Sequence, residues 1–231
     1  MLYIVVPYRN RMEDMKQFLS EAVPAFRRAM PDCSVVFIEQ GNTKPFNRGL
    51  LLNAAVKFLS KDDGDEFIFH DVDIIPTSDS VETLYKPPTR GPIIGICSHT
   101  YSIGGVTKLS RHAIEKLNGF PTNYWGWGYE DVMLKLRAEL LGIHYDVKGD
   151  IDRGDISDKF KMLNEEEGSN YREKYGHYHP NNLLTQYFRT RTVERRAEIV
   201  RRSGLSTTHY KVLRHLRDKG DPLVQFVTVD I

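Results

Sequence analysis

The chain has 231 residues, of which 40% are hydrophobic and 27% charged, a composition typical of globular proteins rather than disordered or fibrous ones. Its 32 lysines and arginines nearly balance 31 aspartates and glutamates, and a formal charge of +1 gives no support for nucleic-acid binding by bulk charge. Since no run of about 18 apolar residues is present, we expect a single soluble domain over residues 1–231 without a membrane span.

The first half of the chain alternates strand and helix patterns. Short apolar runs predict four buried strands, at Leu2–Val6, Val35–Ile38, Glu66–Phe69 and Ile93–Cys97. Apolar residues spaced by three and four predict helices between them, at Glu13–Met30 and Arg48–Leu59. This alternation predicts an α/β fold with a mostly parallel central sheet flanked by helices.

The second half is less regular. It predicts a helix at Val132–Leu141, a basic surface helix at Arg189–Arg202 and a closing strand at Leu223–Ile231. The stretch from Asp150 to Pro180 is polar, and we expect it to be a long, mobile surface loop. Cys33 and Cys97 match no metal-ligand spacing and are interpreted as small buried hydrophobic residues.

Charged side chains follow two of the predicted parallel strands. Asp71 and Asp73 come directly after the third strand, and in an extended segment both carboxylates point to one side. Hard oxygen ligands of this kind suit Mg²⁺ or Mn²⁺, although a solvated turn is the alternative. Arg9 and Arg11 follow the first strand with the same spacing, where they could hold a pyrophosphate or remain ordinary surface arginines. Parallel sheets bind ligands at this edge, so both pairs should face one crevice.

Three further motifs carry possible chemistry. Phe46 and Arg48 begin the second helix, where they could grip a base and an anion or simply start the helix. The segment Tyr124–Asp131 holds both tryptophans of the chain among glycines and ends in two carboxylates, which favours sugar binding over an aromatic core. His177 and His179 can point the same way and complete a transition-metal site, or form a surface pair.

In combination these motifs resemble the β-1,4-galactosyltransferase family. Five of them occur in the family's order, at Pro7–Arg11, Phe46–Gly49, His70–Asp73, Gly104–Val106 and Trp125–Asp131. The ending Phe226–Ile231 fits as well, so the resemblance spans nearly the whole chain. It is closest to the branch that galactosylates xylose, whose loop carries a His-x-His motif.

The resemblance implies a GT-A (Rossmann-like) fold and an inverting, Mn²⁺-dependent transfer from a UDP-sugar to a hydroxyl of an acceptor sugar. About residues 1–100 would form the nucleotide-sugar half, and about 101–231 the acceptor half with the mobile loop 150–180. The donor-binding residues would be Pro7, Tyr8, Arg9, Arg11, Phe46, Arg48, Asp71, Val72, Asp73 and Gly105. The acceptor-binding residues would be Trp127, Gly128, Tyr129, Glu130 and Asp131. Asp131 would be the general base, Glu130 would hold sugar hydroxyls, and the metal ligands would be Asp73, His177 and His179.

The chain departs from the family pattern at two positions. Val132 replaces a further acidic residue, and Ser102 replaces a large aromatic residue near the donor sugar, which could admit an N-acetylhexosamine in place of galactose. An N-acetylhexosaminyltransferase or a capsule-polysaccharide transferase of the same fold therefore stays open. So do a carbohydrate-binding protein without catalysis and a metal-dependent nucleotide hydrolase. The missing family cysteines favour a cytoplasmic protein of bacterial or viral type, with the Golgi lumen as the alternative if a membrane anchor has been removed.

Overall fold

The structure, a computed structural model, describes residues 1–86, 93–126, 128–154, 156, 158–163 and 183–231, except for the side chains of 183–185. The described strands are β1 Leu2–Tyr8, β2 Ser34–Gln40, β3 Glu66–His70, β4 Ile74–Pro76, β5 Ile93–Cys97, β6 Val106–Ser110, β7 Tyr145–Val147, β8 Phe160–Met162, β9 Lys211–Arg217 and β10 Val224–Asp230. The described α-helices are α1 Met12–Ala29, α2 Arg48–Leu59, α3 Ser78–Ser80, α4 Arg111–Leu117, α5 Glu130–Leu140, α6 Leu183–Arg189 and α7 Val193–Arg201. A π-helical turn at Val81–Tyr85 continues α3.

Eight strands form one central sheet in the order β7-β5-β6-β3-β1-β2-β10-β9, and β4 pairs with β8 in a small second sheet. The strand pairs β1–β2, β1–β3, β2–β10 and β5–β7 are parallel, whereas β6 and β9 pair with their neighbours in antiparallel fashion. The predicted α/β class with a mostly parallel sheet is confirmed. Because β1 and β3 are adjacent and parallel, their carboxyl ends meet at one edge of the sheet.

The sheet is buried on both faces. Helix α1 packs on one face, where Phe18 and Phe26 are fully buried. Helices α2, α4 and α5 contribute to the core on the other face, which includes Leu51, Leu52 and Leu134. Coverage on both faces explains why the first three strands are nearly continuous apolar runs.

The predicted elements of the first half lie within a few residues of the observed ones, and α2 and β5 agree at both ends. The basic helix predicted at Arg189–Arg202 is present as α7, but it begins four residues later than predicted, at Val193. The reason is that Thr192 is extended (ψ 146°) and its side chain accepts a hydrogen bond from the Arg195 N–H, which starts the helix there, whereas Arg189 ends the separate helix α6. The interpretation of both cysteines as buried free thiols is confirmed. None of the helices in the described part of the chain combines the length and apolar character needed to cross a membrane.

Arg137 joins α5 to two neighbouring turns from a fully buried position. Its guanidinium donates to the carbonyl oxygens of Asn118 at 3.1 Å, Gly119 at 2.5 Å and Ser203 at 2.6 Å. Burial lowers its pKa to about 10. The side chain thus supplies donors to the buried carbonyls of Gly119 and Ser203, and adds a second donor to the Asn118 carbonyl, which also accepts the N–H of Leu205.

Replacing Arg137 by methionine is expected to lower the free energy of unfolding by about 3–5 kcal/mol, because several buried carbonyls lose their donor at once. Urea denaturation followed by circular dichroism measures the change. Arg201→Met, an exposed position at the end of α7, is the matched control and should stay within about 0.5 kcal/mol of the parent. Equal losses in both variants would show that Arg137 does not hold these turns.

Candidate active site

Two arginine–aspartate pairs form the floor of the site at the carboxyl edge of the sheet, where the sequence predicts the ligand crevice. Arg11 follows β1 and donates to the Asp73 carboxylate at 3.2 Å. Arg48, the first residue of α2, donates through Nε to Asp71 at 2.7 Å. The structure therefore brings together the charged residues that follow the first and third strands, as the parallel order predicts.

The two carboxylates of this floor disfavour each other's charge. Burial, together with the nearby charge of Asp71, raises the pKa of Asp73 to about 6. A half-buried pair of hard oxygen donors suits a divalent cation, which would relieve the repulsion. Within the described residues, no group of three or more possible metal ligands is found. The remaining predicted ligands, His177 and His179, lie outside the described residues.

Helix α5 presents Glu130 and Asp131 to the same crevice. The chain enters α5 through residues in the left-handed region, with φ of 96° at Gly126, 91° at Gly128 and 74° at Tyr129. Glycine is the residue that adopts this backbone without strain, which explains the glycines of the motif. Glu130 is buried and accepts a hydrogen bond from Arg48 at 3.4 Å. Burial and the neighbouring Asp131 raise its pKa to about 7.

Asp131 is held by backbone groups on two sides. Its Oδ1 accepts a hydrogen bond from the N–H of Val132 at 2.8 Å. Its side chain packs against the Cα of Gly104, where an added Cβ would overlap the carboxylate. Gly104 belongs to the Gly104–Val106 motif, so this motif fixes the position of Asp131 from across the crevice. Next to it, Gly105 has φ of 72° and accepts the N–H of Asp71 at 3.0 Å.

Aromatic and cationic groups form the rim of the crevice. The guanidinium of Arg9 lies 5.8 Å from the ring centre of Phe46, and the Lys44 ammonium lies 5.7 Å from that of Trp125. The N–H of Gly126 donates to the Phe46 carbonyl at 2.7 Å, which links the tryptophan loop to the start of α2. This rim offers flat and positively charged surfaces of the kind that hold a nucleotide base and phosphate.

Some predicted site residues contribute more to the core than to the crevice. Pro7, Tyr8 and Val72 are buried, and the Tyr8 ring packs edge-on against Phe37 at 6.1 Å. Burial raises the pKa of the Tyr8 hydroxyl to about 12. Ser102 is also fully buried, and its hydroxyl accepts the Gly104 N–H at 3.4 Å. Trp127 lies outside the described residues.

Two side chains at the site were not predicted from the sequence. Asn47 caps α2 by accepting the N–H of Leu50 at 2.9 Å and donates to the carbonyl of Thr122 at 2.9 Å. Its place directly before a helical pattern is a capping signal that could have identified it. The sequence gives His70 no role beyond opening the His70–Asp73 motif, yet it lies fully buried beside Asp71, between Phe18 and Tyr85.

Burial lowers the pKa of His70 to about 4, below its ordinary value of 6.5. A neutral buried histidine stabilises the fold above pH 6.5, and this contribution is lost as the pH falls from 6.5 through 4, because only the unfolded chain gains the proton. We expect the stability difference between the parent and His70→Asn to shrink by about 3 kcal/mol over this range. Urea denaturation at several pH values measures it, with the exposed His112→Asn as control. Parallel pH curves for the parent and His70→Asn would contradict the expectation.

Comparison with known families gives two matches along the chain. A family model described as the N-terminal region of glycosyl transferase group 7 matches residues 1–86. A second, described as the N-terminal domain of galactosyltransferase, matches residues 96–163. Between them these matches contain every described side chain of the crevice named above.

Individual relatives agree with the family models. β-1,4-Galactosyltransferase 4 of Homo sapiens is 41% identical over 146 residues, which cover 59% of this chain and 42% of the relative. The Mus musculus protein of the same name is 31% identical over 235 residues, covering 98% of this chain and 62% of the relative. This chain thus spans about 40–60% of the length of these relatives.

Among solved structures, Drosophila β-1,4-galactosyltransferase 7 in complex with manganese, UDP-Gal and xylobiose superimposes with a TM-score of 0.77. Sequence identity is 23%, and the match covers 100% of this chain and 93% of that one. The likeness establishes the GT-A fold predicted from the sequence.

Proposed function

This chain belongs to the β-1,4-galactosyltransferase family, and on that premise we propose that it is an inverting, Mn²⁺-dependent glycosyltransferase. It transfers a hexose from a UDP-sugar to a hydroxyl of an acceptor saccharide, and galactose is the first candidate for that hexose. The roughly first 100 residues form the nucleotide-sugar half, and the remainder forms the acceptor half.

The two hydrogen bonds of one side chain carry the proposal. Arg48 hydrogen bonds both to Asp71, at 2.7 Å on the donor side, and to Glu130, at 3.4 Å on the acceptor side. A carboxylate of the proposed donor side and a carboxylate of the proposed acceptor side therefore share one mostly buried cation. A surface turn and an unrelated helix end would not converge in this way.

Asp131 is suited to the role of general base. Inversion requires the acceptor hydroxyl to attack the anomeric carbon from the face opposite UDP while losing its proton. The N–H of Val132 and the packing of Gly104 fix the orientation of the Asp131 carboxylate. Glu130 is fixed by Arg48 and can hold a sugar hydroxyl beside it.

The described donor set fits Mn²⁺, and Asp73 would hold it with His177 and His179. The bound ion would act as a Lewis acid on the departing diphosphate. Arg9 and Phe46 would bind the nucleotide at the rim, while Arg11 would balance the charge on the donor side. In the solved Drosophila structure, manganese and UDP-Gal occur together, which supports this assignment.

UDP release measured with Mn²⁺, across UDP-sugars and with or without glycoside acceptors, tests the proposal. We expect release from UDP-galactose that rises when an acceptor is added, and a product whose linkage NMR can assign. UDP-N-acetylgalactosamine belongs in the same screen because of Ser102. Donor hydrolysis that no acceptor changes would favour a nucleotide hydrolase instead, and no release at all would favour a carbohydrate-binding protein.

We also propose that the protein works in a reducing compartment, the cytoplasm, as a bacterial or viral type of the family, with the Golgi lumen as the alternative. Its support is that Cys33 and Cys97 are buried free thiols. Localisation of the tagged protein in its natural cell decides between the two.

A further inference from the structure

We propose that His70 is a positioning residue, locked by the Tyr85 hydroxyl into one tautomer so that it fixes the backbone turn that carries Asp71 and Asp73. The proposal rests on the proposed function, because it assigns a second layer of support to the carboxylates that would face the metal and the diphosphate. It concerns the group behind the site rather than a group in contact with substrate.

The hydrogen bonds of His70 determine its tautomer. Its Nδ1 lies 2.9 Å from the carbonyl oxygen of Asp71, which can only accept, so Nδ1 must carry the proton. Its Nε2 is then a bare acceptor, and it lies 2.8 Å from the Tyr85 hydroxyl, which donates to it. Both ring nitrogens are therefore satisfied in one arrangement of a neutral ring. Exchanging the tautomer would bring two acceptors together at Asp71.

The Nδ1–H bond acts on the start of the turn between β3 and β4. The Asp71 carbonyl accepts from His70 and also from the N–H of Ile74 at 3.3 Å, while the Asp71 N–H donates to Gly105 at 3.0 Å. The backbone of Asp71 is thus fixed at both ends. Asp73 is tied in turn through its carbonyl, which accepts the N–H of Leu163 at 2.7 Å. The direction of both carboxylates follows from this fixed backbone.

Tyr85 is itself placed by buried polar contacts. It ends the π-helical turn Val81–Tyr85, and its carbonyl accepts a hydrogen bond from the fully buried ammonium of Lys108 at 2.9 Å. Lys108 also pairs with Glu66 at 3.4 Å. Wider helical turns of this kind are frequent at functional sites, and here the turn brings a hydroxyl to the ring behind the carboxylates.

Apolar packing alone does not require this arrangement. Phe18 meets the His70 ring edge-on at 5.0 Å, and Phe26 at 6.1 Å, so these neighbours pack against an aromatic ring without calling for its nitrogens. A polar ring in this environment costs free energy unless its hydrogen bonds are made. The bond to Asp71 is the one that reaches the site.

Two amide substitutions separate the two ring nitrogens. In His70→Asn the amide nitrogen occupies the place of Nδ1 and can still donate to the Asp71 carbonyl. In His70→Gln the amide reaches toward the place of Nε2 and toward Tyr85, so the Asp71 carbonyl loses its side-chain donor and keeps only the longer bond from the Ile74 N–H. Tyr85→Phe removes only the hydroxyl. Tyr145→Phe is the matched control, since its hydroxyl donates to Glu139 at 2.9 Å on the surface.

The affinity for MnCl₂ in the presence of UDP, measured by electron paramagnetic resonance, is the main readout. We expect His70→Gln to weaken it by about 10–100-fold and Tyr85→Phe by about tenfold, which is the usual range for groups that orient a metal ligand. His70→Asn should stay within about threefold of the parent, and Tyr145→Phe should be unchanged. ¹⁵N NMR of the parent should show a protonated Nδ1 and a bare Nε2 on His70.

Three results would overturn the inference. The first is a protonated Nε2 in the parent, and the second is a parent-like Mn²⁺ affinity in His70→Gln. The third is an equal loss of Mn²⁺ affinity in the Asn and Gln variants that parallels the fall in their melting temperatures. If the parent itself binds no Mn²⁺ with UDP, the proposed function fails and the inference fails with it. If the parent binds and the variants do not separate, only the inference fails.

Discussion

Replacing Asp131 by asparagine is expected to lower the rate of sugar transfer by about 10²–10⁴-fold while the affinity for the UDP-sugar survives. Asparagine keeps the size of the side chain and can still accept the N–H of Val132, so the packing against Gly104 is retained. What it loses is the ability to take a proton from the acceptor hydroxyl. Steady-state transfer rates and calorimetric donor binding, measured on the same preparation, separate the two effects.

The control for this change is Glu139→Gln, which neutralises an exposed carboxylate on the same helix. It should leave both the rate and the donor affinity close to the parent values. If Asp131→Asn instead weakened donor binding while transfer continued, Asp131 would belong to the donor pocket and another group would have to remove the proton.

Replacing Arg48 by methionine is expected to cost about 3–5 kcal/mol of stability and to abolish measurable donor binding. Arg48 is mostly buried between Asp71 and Glu130, whose negative charges raise its pKa despite the cost of burial. Removing this cation leaves the buried Glu130 carboxylate and the half-buried Asp71 carboxylate without the partner that they share. Urea denaturation gives the stability, and UDP binding gives the second effect.

Two further variants make this test specific. Arg111→Met removes a half-buried arginine that pairs with the exposed Glu115 at 2.9 Å, and it should change stability by no more than about 0.5 kcal/mol. Adding Glu130→Gln to Arg48→Met removes one of the unpaired charges and should recover part of the lost stability. A double variant no more stable than Arg48→Met would mean that the contact between Arg48 and Glu130 contributes little.

Sequence patterns predicted the elements whose character is local. Continuous apolar runs identified β1 to β3, because a strand that is buried on both faces of the sheet is apolar throughout. The spacing of apolar residues identified α1 and α2. The places of Asp71, Asp73, Arg9 and Arg11 after two strands were sufficient to predict that the two pairs would face one site, where Arg11 indeed pairs with Asp73. These predictions needed no knowledge of distant contacts.

The missed features depend on distant partners. Strand β6 was missed because Lys108 interrupts its apolar run, and this buried lysine is tolerated there because the carbonyl of Tyr85 and the carboxylate of Glu66 are among its partners. Strand β9 is an exposed edge strand with little apolar alternation to detect. His70 was overlooked for a similar reason, since its proposed role depends on the hydroxyl of Tyr85, 15 residues away.

The place of β10 between β2 and β9 has a consequence for how the polypeptide matures. Val224 pairs with Val35, so this strand of the sheet arrives about 190 residues after its neighbour. During synthesis the early strands leave the ribosome with one side of β2 uncovered, and contacts of such long sequence separation form slowly. Chaperones would therefore need to protect the nascent chain until β10 emerges, and stalled translation products that lack β10 should be aggregation-prone.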